Sequence, residues 1–447
     1  MNGKSIFSTL ISGVIVMAAS LVGAQSPEYR IALTPNAQRI VSHSRPLLLD
    51  RGVLAGLPTL QPFAKKTAFP QKSGVPIISN PKSPTLSGNK GRRLIFKEDL
   101  SIGLREGDEN YMFGERVYFN VDDKGNIYIV DWDRKRIQKF SPDGKYLLTI
   151  GRKGQGPGEF QNVWTPEFDK DGNLYVVDIA QKRISFFGPE GNYLKQIVFP
   201  GFTVSSSLFF TTNQNIVTTL TQMSLDDAKG AKWEHVIGLF DKQFHLRSEF
   251  LRYGGGSKPP SGRGEDAIAQ FWADSMTDMA FQPSASYALA QNDEIYFGYS
   301  DAYEIKIFSP EGKLARIIRK EYDPVAVTDE DRETFAESMK TEFLRFLPAQ
   351  FEAAKKKAVG LIRYPKYKPA YQGFTVSEDG RLIVIANQKG DSSAILDVFD
   401  KDGRCVIHCQ ADIPVDGLRF KKNKVYAVAT IDGYHFIKRF TVEEKVR

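Results

Sequence analysis

Two stretches decide the fold: residues 119–151, FNVDDKGNIYIVDWDRKRIQKFSPDGKYLLTIG, and residues 166–198, PEFDKDGNLYVVDIAQKRISFFGPEGNYLKQIV, align almost position for position. Each runs strand, Asp-x-x-Gly-Asn turn, apolar strand, Lys-Arg-Ile strand, Pro-x-Gly turn, aromatic strand. A repeat of about 45 residues made of four short strands is the mark of a propeller blade, a unit that buries its faces only by stacking on neighbours. The second strands, NIYIVD and NLYVVD, are apolar on both faces, as a sheet held between two others requires.

Looser copies continue from there. LFFTTNQNIVTTL with VIGLFDKQFHLRSEF makes a third blade, YALAQNDEIYFGYSDAYEIKIFSPEGKLARIIRK a fourth, and GFTVSEDGRLIVIANQ with ILDVFDKDGRCVIHCQ a fifth. GLRFKKNKVYAVATIDGYHFIKRF supplies three strands of a sixth. The missing one lies at the other end, where RRLIFKEDLSIG, residues 92–103, has the outer-strand pattern of KYLLTIG. Pairing it with the last three strands closes the ring and removes an open edge. The expected fold is an all-β, six-bladed β-propeller with an N-terminal strand closing the last blade and a helical insertion, residues 321–370, between blades 4 and 5.

Between the two clear repeats stands GRKGQGPGEF, residues 151–160. Its glycines match neither a P-loop, which needs Gly-Lys-Ser/Thr opening a helix, nor a dinucleotide fingerprint. They read as corner residues carrying the chain from an outer strand to the next inner one. The Gly-x-Gly-Pro-Gly-x-Phe run at 154–160, followed by Asp-x-x-Gly-Asn-Leu-Tyr-Val-x-Asp and Arg-Ile, resembles the NHL-repeat six-bladed propellers, most closely over residues 110–200. That resemblance implies the fold. Its members include scaffolds, binding proteins and a few enzymes, among them zinc lyases and, in related propellers, calcium-dependent lactonases, so it does not choose a function.

Ahead of the repeats, Lys4 precedes an apolar run from Ile6 to Val22 that ends in small residues at Ala24, the pattern of an export signal. Cleavage after Ala24 would leave a secreted or periplasmic protein; retained, the run would be a membrane anchor. Residues 25–92 read as a flexible, basic leader rich in Pro and Ser. Residues 25–93 carry a net charge of +9 of the chain's +7, so with Lys4 counted residues 94–447 stand at −3. The propeller, residues 93–447, is not basic, and a nucleic-acid partner is not expected. Cys405 and Cys409, the only cysteines, sit four residues apart on one strand, about 13 Å at full extension, too far for a disulfide.

The turns joining inner strands to second strands, and third to fourth, are short in every blade and share one face of the disc. The long connections share the other, which makes that face the candidate functional surface. Trp132, Trp164, Trp233 and Trp272 all map there, as do Arg134, Arg363 and Tyr364, and aromatic and arginine side chains are typical anchors of recognition sites. In the largest insertion Thr328 is an N-cap, acids follow, and Phe335, Met339, Phe343, Phe346 and Leu347 form one stripe that reads as a brace against the ring, with Pro348 breaking the helix.

Catalysis has weaker support. Of the histidines, His43 is in the leader, and His235, His245, His408 and His435 fall on outer elements, away from the axis where a zinc lyase would gather its ligands. No Gly-x-Ser-x-Gly elbow occurs. Asp131 and Asp178 recur in register with Arg136 and Arg183, which points to structural bonding. The expected function is therefore an exported, monomeric, non-catalytic propeller that needs no cofactor and binds a protein, peptide or glycan. The alternative is a calcium-dependent lactonase-type hydrolase or lyase with its site in the central channel.

Overall fold

The computed structural model describes residues 74–84, 92–199, 201–205, 207–226, 230–255, 264–344, 351–387 and 394–446. The expected signal and most of the leader lie outside them, as do Phe346, Leu347 and Pro348 and the side chains of Trp233 and Phe343. Two strands precede the repeats, β1 (Ile77–Asn80) and β2 (Arg92–Ile102). Blade 1 is β3 (Val117–Val121), β4 (Ile127–Asp131), β5 (Arg136–Phe140) and β6 (Tyr146–Ile150); blade 2 is β7 (Glu167–Phe168), β8 (Leu174–Asp178), β9 (Arg183–Phe187) and β10 (Tyr193–Val198). In blade 3 the inner strand is split into β11 (Thr203–Val204) and β12 (Phe209–Phe210), followed by β13 (Ile216–Asp226), β14 (Gly230–Phe240) and β15 (Leu246–Gly255).

A helix, α1 (Glu265–Thr277), leads into blade 4, built of β16 (Ala285–Leu289), β17 (Ile295–Tyr299), β18 (Glu304–Phe308) and β19 (Leu314–Lys320). After it come α2 (Asp329–Ser338), which continues as a π-helical turn, Met339–Phe343, and α3 (Glu352–Gly360). Blade 5 is β20 (Tyr371–Val376), β21 (Leu382–Ala386), β22 (Ala394–Phe399) and β23 (Cys405–Ala411); blade 6 is β24 (Asp416–Lys421), β25 (Lys424–Ile431) and β26 (Tyr434–Val446).

These strands form six sheets, one per blade, antiparallel throughout except where β1 joins, in a six-bladed propeller. The ring closes as the hydrophobic pattern requires: β2 pairs antiparallel with β26, Arg92 opposite Val446 and Ile102 opposite Ile437. Every residue of β4, β8 and β21 is buried, because each of these sheets has a neighbour on both faces. Tyr128, Val130 and Ile150 of blade 1 meet Leu174, Val176 and Phe187 of blade 2 in one apolar cluster. At about 25 cal/mol per Å2 of apolar surface removed from water, such seams between blades are the main force holding the ring together.

The glycine-rich corner has a packing reason. Gly151 has φ +70°, and a Cβ there would fall 2.1 Å from the ring of Phe160, a fully buried member of the same cluster. Arg183 fixes the corner from below by donating to the carbonyls of Gly156 (2.7 Å) and Glu159 (2.6 Å). The recurring Asp and Arg residues are structural as well, although only those of blade 1 pair with one another. Buried Asp131 accepts from Arg134 (2.9 Å) and Arg136 (3.3 Å), while Asp178 accepts the backbone N–H groups of Gln161, Asn162 and Gln181. The short turns are Asx-type: Asp122 and Asp169 each accept the backbone N–H of the asparagine four residues on, both at 2.8 Å.

The leader expectation needs one correction. Residues 77–80 form β1, a fifth strand laid parallel on β19 at the outer edge of blade 4, with Ile77 opposite Ile317 and Asn80 opposite Lys320. An outer edge offers unpaired N–H and C=O groups, and this segment covers them. The long connections also contain more helix than the stripe at 335–347 suggests. α1 buries Ala269, Trp272, Ala273 and Met276, residues at helical spacing, and packs against α3. Thr328 caps α2 in a reciprocal capping box with Asp331, whose carboxylate also holds buried Lys368 at 2.6 Å.

Candidate ligand-binding site at the junction of blades 1 and 2

The seven expected site residues divide into separate groups. Trp272 belongs to α1, between blades 3 and 4, Arg363 and Tyr364 belong to the insertion, and all three serve packing among these helices. Trp272 is 5% exposed within α1; Arg363 reaches back to Asp274 at 2.9 Å; Tyr364 meets Phe335 edge-on at 5.9 Å. Arg134 is committed to Asp131 and to the carbonyl of Met112, each at 2.9 Å. Trp233 lies on β14, and its side chain is outside the described residues. Trp132 and Trp164 remain, both at the blade 1–blade 2 junction.

Trp132 opens the turn after β4, and its indole Nε1 donates to Asn162 Oδ1 of the blade 2 entry loop at 2.7 Å. The Arg116 guanidinium lies 3.4 Å from the Trp132 ring centroid and Lys135 Nζ lies 3.1 Å from it. Two cationic groups of that bulk cannot share one face at those distances, so the indole is sandwiched between them. Lys135 reaches this place because its backbone turns through the left-handed region, φ 56°. Next to the stack, Tyr118 packs on Trp164 with ring centroids 5.1 Å apart, and Trp164 is 2% exposed with its Nε1 buried and unpartnered.

The electrostatics follow from this packing. Burial, with Arg116 adding repulsion, lowers the Lys135 ammonium to about 8, and Lys153 works in the same direction while Asp133 and Asp178 oppose it. Burial raises the Tyr118 hydroxyl to about 12, an effect that Arg116 partly offsets. Lys135 makes no ion pair among the described residues. The repeat offers a signal for this site: the N–H of Trp132 bonds to the Arg116 carbonyl as that of Ile179 bonds to Asn162, so Trp132 and Arg116 stand where blade 2 has Ile179 and Asn162. Positions at which two near-identical blades diverge are the ones the shared fold does not require.

A second cluster lies on the innermost strands. Asn120, Glu167, Phe209, Ala288, Thr375 and Arg419 occupy one register in the six blades, opposite Tyr128, Tyr175, Val217, Tyr296, Ile383 and Tyr426, and all six are partly exposed. The ring is therefore polar across blades 5, 6, 1 and 2 and apolar at blades 3 and 4. Asn120 donates to Glu167 Oε2 at 2.8 Å. Burial raises the Glu167 carboxyl to about 7, although Arg419, Asn120 and Lys421 favour its charge. This donor set does not fit calcium, which takes about six to eight oxygens and is repelled by a guanidinium. Among the described residues no three His, Cys, Asp or Glu side chains converge in a metal-binding group.

Of the described histidines, three stand apart from both clusters, whereas His435 donates from Nε2 to the carbonyl of Glu115 at 2.8 Å, next to Arg116. His235 bonds Thr221 at 2.9 Å and stacks on Tyr253, and burial lowers it to about 4. His408 bonds Asp397 at the blade 4–blade 5 seam, and His245 bonds Asp241.

Comparison with known proteins agrees with the architecture. Residues 115–251 match the DUF5128 family, described as a 6-bladed beta-propeller. No curated protein matches the chain. Among solved structures, a candidate exported protein from Bacteroides fragilis is 12% identical, with 83% of this chain and 99% of that chain covered and a TM-score of 0.46. A member of the DUF4221 family from Bacteroides vulgatus is 8% identical, covering 80% and 100%, with a TM-score of 0.45. Virginiamycin B lyase from Staphylococcus aureus is 12% identical, covering 78% and 99%, with a TM-score of 0.39.

Proposed function

We propose that this chain is an exported, non-catalytic propeller that binds a protein, peptide or glycan ligand on its insertion-rich face, with Trp132 at the centre of the contact. The N-terminal charge, apolar run and small-residue end support export. The observation that carries the binding reading is the Arg116–Trp132–Lys135 stack, a desolvated cationic and aromatic group set where the blade repeat needs none. The NHL-like reading of the repeats supports a binding role without choosing a ligand. Screening the purified chain on peptide and glycan arrays tests it. Binding lost in Trp132→Ala and kept in a short-turn variant such as Lys124→Ala supports the assignment. Binding indifferent to Trp132 overturns it.

One observation favours a second reading, acid–base chemistry in the channel. Glu167, shared by Asn120 and facing the charge of Arg419, changes protonation near neutral pH, which is where a general acid or base works best. Turnover on a lactone or amide panel that disappears in Glu167→Gln would move this reading ahead. Turnover unaffected by that replacement would end it.

A further inference from the structure

We infer that the Arg116–Trp132–Lys135 stack is a docking site for an acidic peptide segment of a partner protein, whose Asp or Glu carboxylates lie against Lys135 and Arg116. This rests on the binding role proposed above and goes further by naming the ligand's chemistry.

The stack withholds its aromatic faces. With Arg116 at 3.4 Å and Lys135 at 3.1 Å, both π faces of Trp132 are covered, and its Nε1 is held by Asn162. Trp164 is buried against Tyr118. Neither indole offers the open ring face on which a sugar stacks, so what the site presents is positive charge on an aromatic support. That separates a peptide carboxylate from a glycan as its ligand.

Lys135 carries a charge that no ion pair among the described residues balances. Arg134 and Arg136 share the single carboxylate of Asp131, and Asp178 is spent on backbone N–H groups and Gln181. Asp133 lies 3.8 Å from the Arg116 guanidinium, and its other oxygen takes the Arg116 backbone N–H. Lys135 is left half-buried beside a like charge, and the resulting strain on its ammonium is relieved by an arriving carboxylate. The chain's own leader does not supply that carboxylate: residues 25–93 carry +9 and are repelled by the same charges.

The inference is tested by titrating the purified chain with an octaglutamate peptide at pH 8, calorimetrically, in two buffers of different ionisation heat. Lys135→Gly suits the left-handed turn at φ 56° and so keeps the fold while removing the amine. We expect binding that weakens with salt and falls about tenfold in Lys135→Gly and in Arg116→Gln. Wild-type binding takes up protons as Lys135 regains its charge, and Lys135→Gly abolishes that uptake. Octaglutamate that fails to bind, or that binds both variants within twofold of wild type, overturns the inference. So does an oligogalacturonate that binds more tightly than octaglutamate with the same variant sensitivity, because the ligand is then an acidic glycan. If octaglutamate fails while array binding still depends on Trp132, only the ligand's chemistry is wrong and the binding role stands.

Discussion

Cys405 donates its backbone N–H to Asn80 Oδ1 at 2.7 Å across 325 residues of sequence. The same asparagine donates from Nδ2 to the carbonyls of Arg319 (3.1 Å) and Gly403 (3.0 Å). One side chain of β1 therefore satisfies backbone groups of blades 4 and 5 at once, and β2, twelve residues further on, completes blade 6. The segment before the repeats is a belt across three blades. Beneath it, buried Asp397 accepts from Tyr303 and His408 and pairs with buried Lys320 at 3.4 Å, so the blade 4–blade 5 seam is unusually polar and depends on full pairing.

Replacing Asn80 by Ala should strand the Cys405 N–H and two carbonyls in a buried site and cost about 2–4 kcal/mol. Urea unfolding measures it. A loss under about 0.5 kcal/mol, the range of an ordinary surface change, would mean the belt is not needed for stability.

Gly151→Ala should destabilise by about 2–4 kcal/mol, since the new methyl meets the Phe160 ring and the left-handed backbone is strained besides. Gly172 has φ +77° with nothing within 4 Å of where a methyl group would sit, so Gly172→Ala should cost only the backbone strain, about 1–2 kcal/mol. Equal losses in the two variants would refute the packing role given to the glycine-rich corner.

Glu167 should make the fold less stable as pH rises. Its carboxyl is raised from 4.5 to about 7 in the folded chain, so between those values the folded state holds a proton that the unfolded state releases. The stability difference is absent below pH 4.5 and complete above pH 7. Glu167→Gln should therefore gain on wild type progressively across about pH 5–8, by at most about 3 kcal/mol. A constant difference across that range would show that Glu167 titrates normally.

Both cysteines should resist thiol reagents in the native state. They are buried and unpaired, and burial lifts the Cys405 thiol to about 12 and raises that of Cys409. Ellman's reagent should report two thiols in guanidinium and close to none without it, and reductant should leave the melting temperature unchanged.

Trp272 shows where sequence reasoning misplaces a residue. Ala269, Trp272, Ala273 and Met276 have helical spacing, but a flanking run of Gly, Pro and Ser makes the stretch read as an exposed loop. The π-face contacts of Trp132 are legible only in part. The divergence of Trp132 from Ile179 is visible in the aligned repeats, while the positions of Arg116 and Lys135 over its ring depend on the pairing of β3 with β4 and on the left-handed turn at Lys135.

The sequence by itself determined the blades, their number and the closing strand, because strand periodicity and Gly-Asn turns are local, and four-stranded repeats with doubly apolar second strands have few other ways to bury themselves. Tertiary structure alone decided the placement of β1. Ile-Ile-Ser-Asn between Pro76 and Pro81 is too short to show alternation, and it becomes a strand because blade 4 offers an open edge and two blades offer Asn80 its partners. The same holds for Glu167: nothing local distinguishes it from other glutamates, and its raised pKa comes from the desolvation it meets on the innermost strand once the blades surround it.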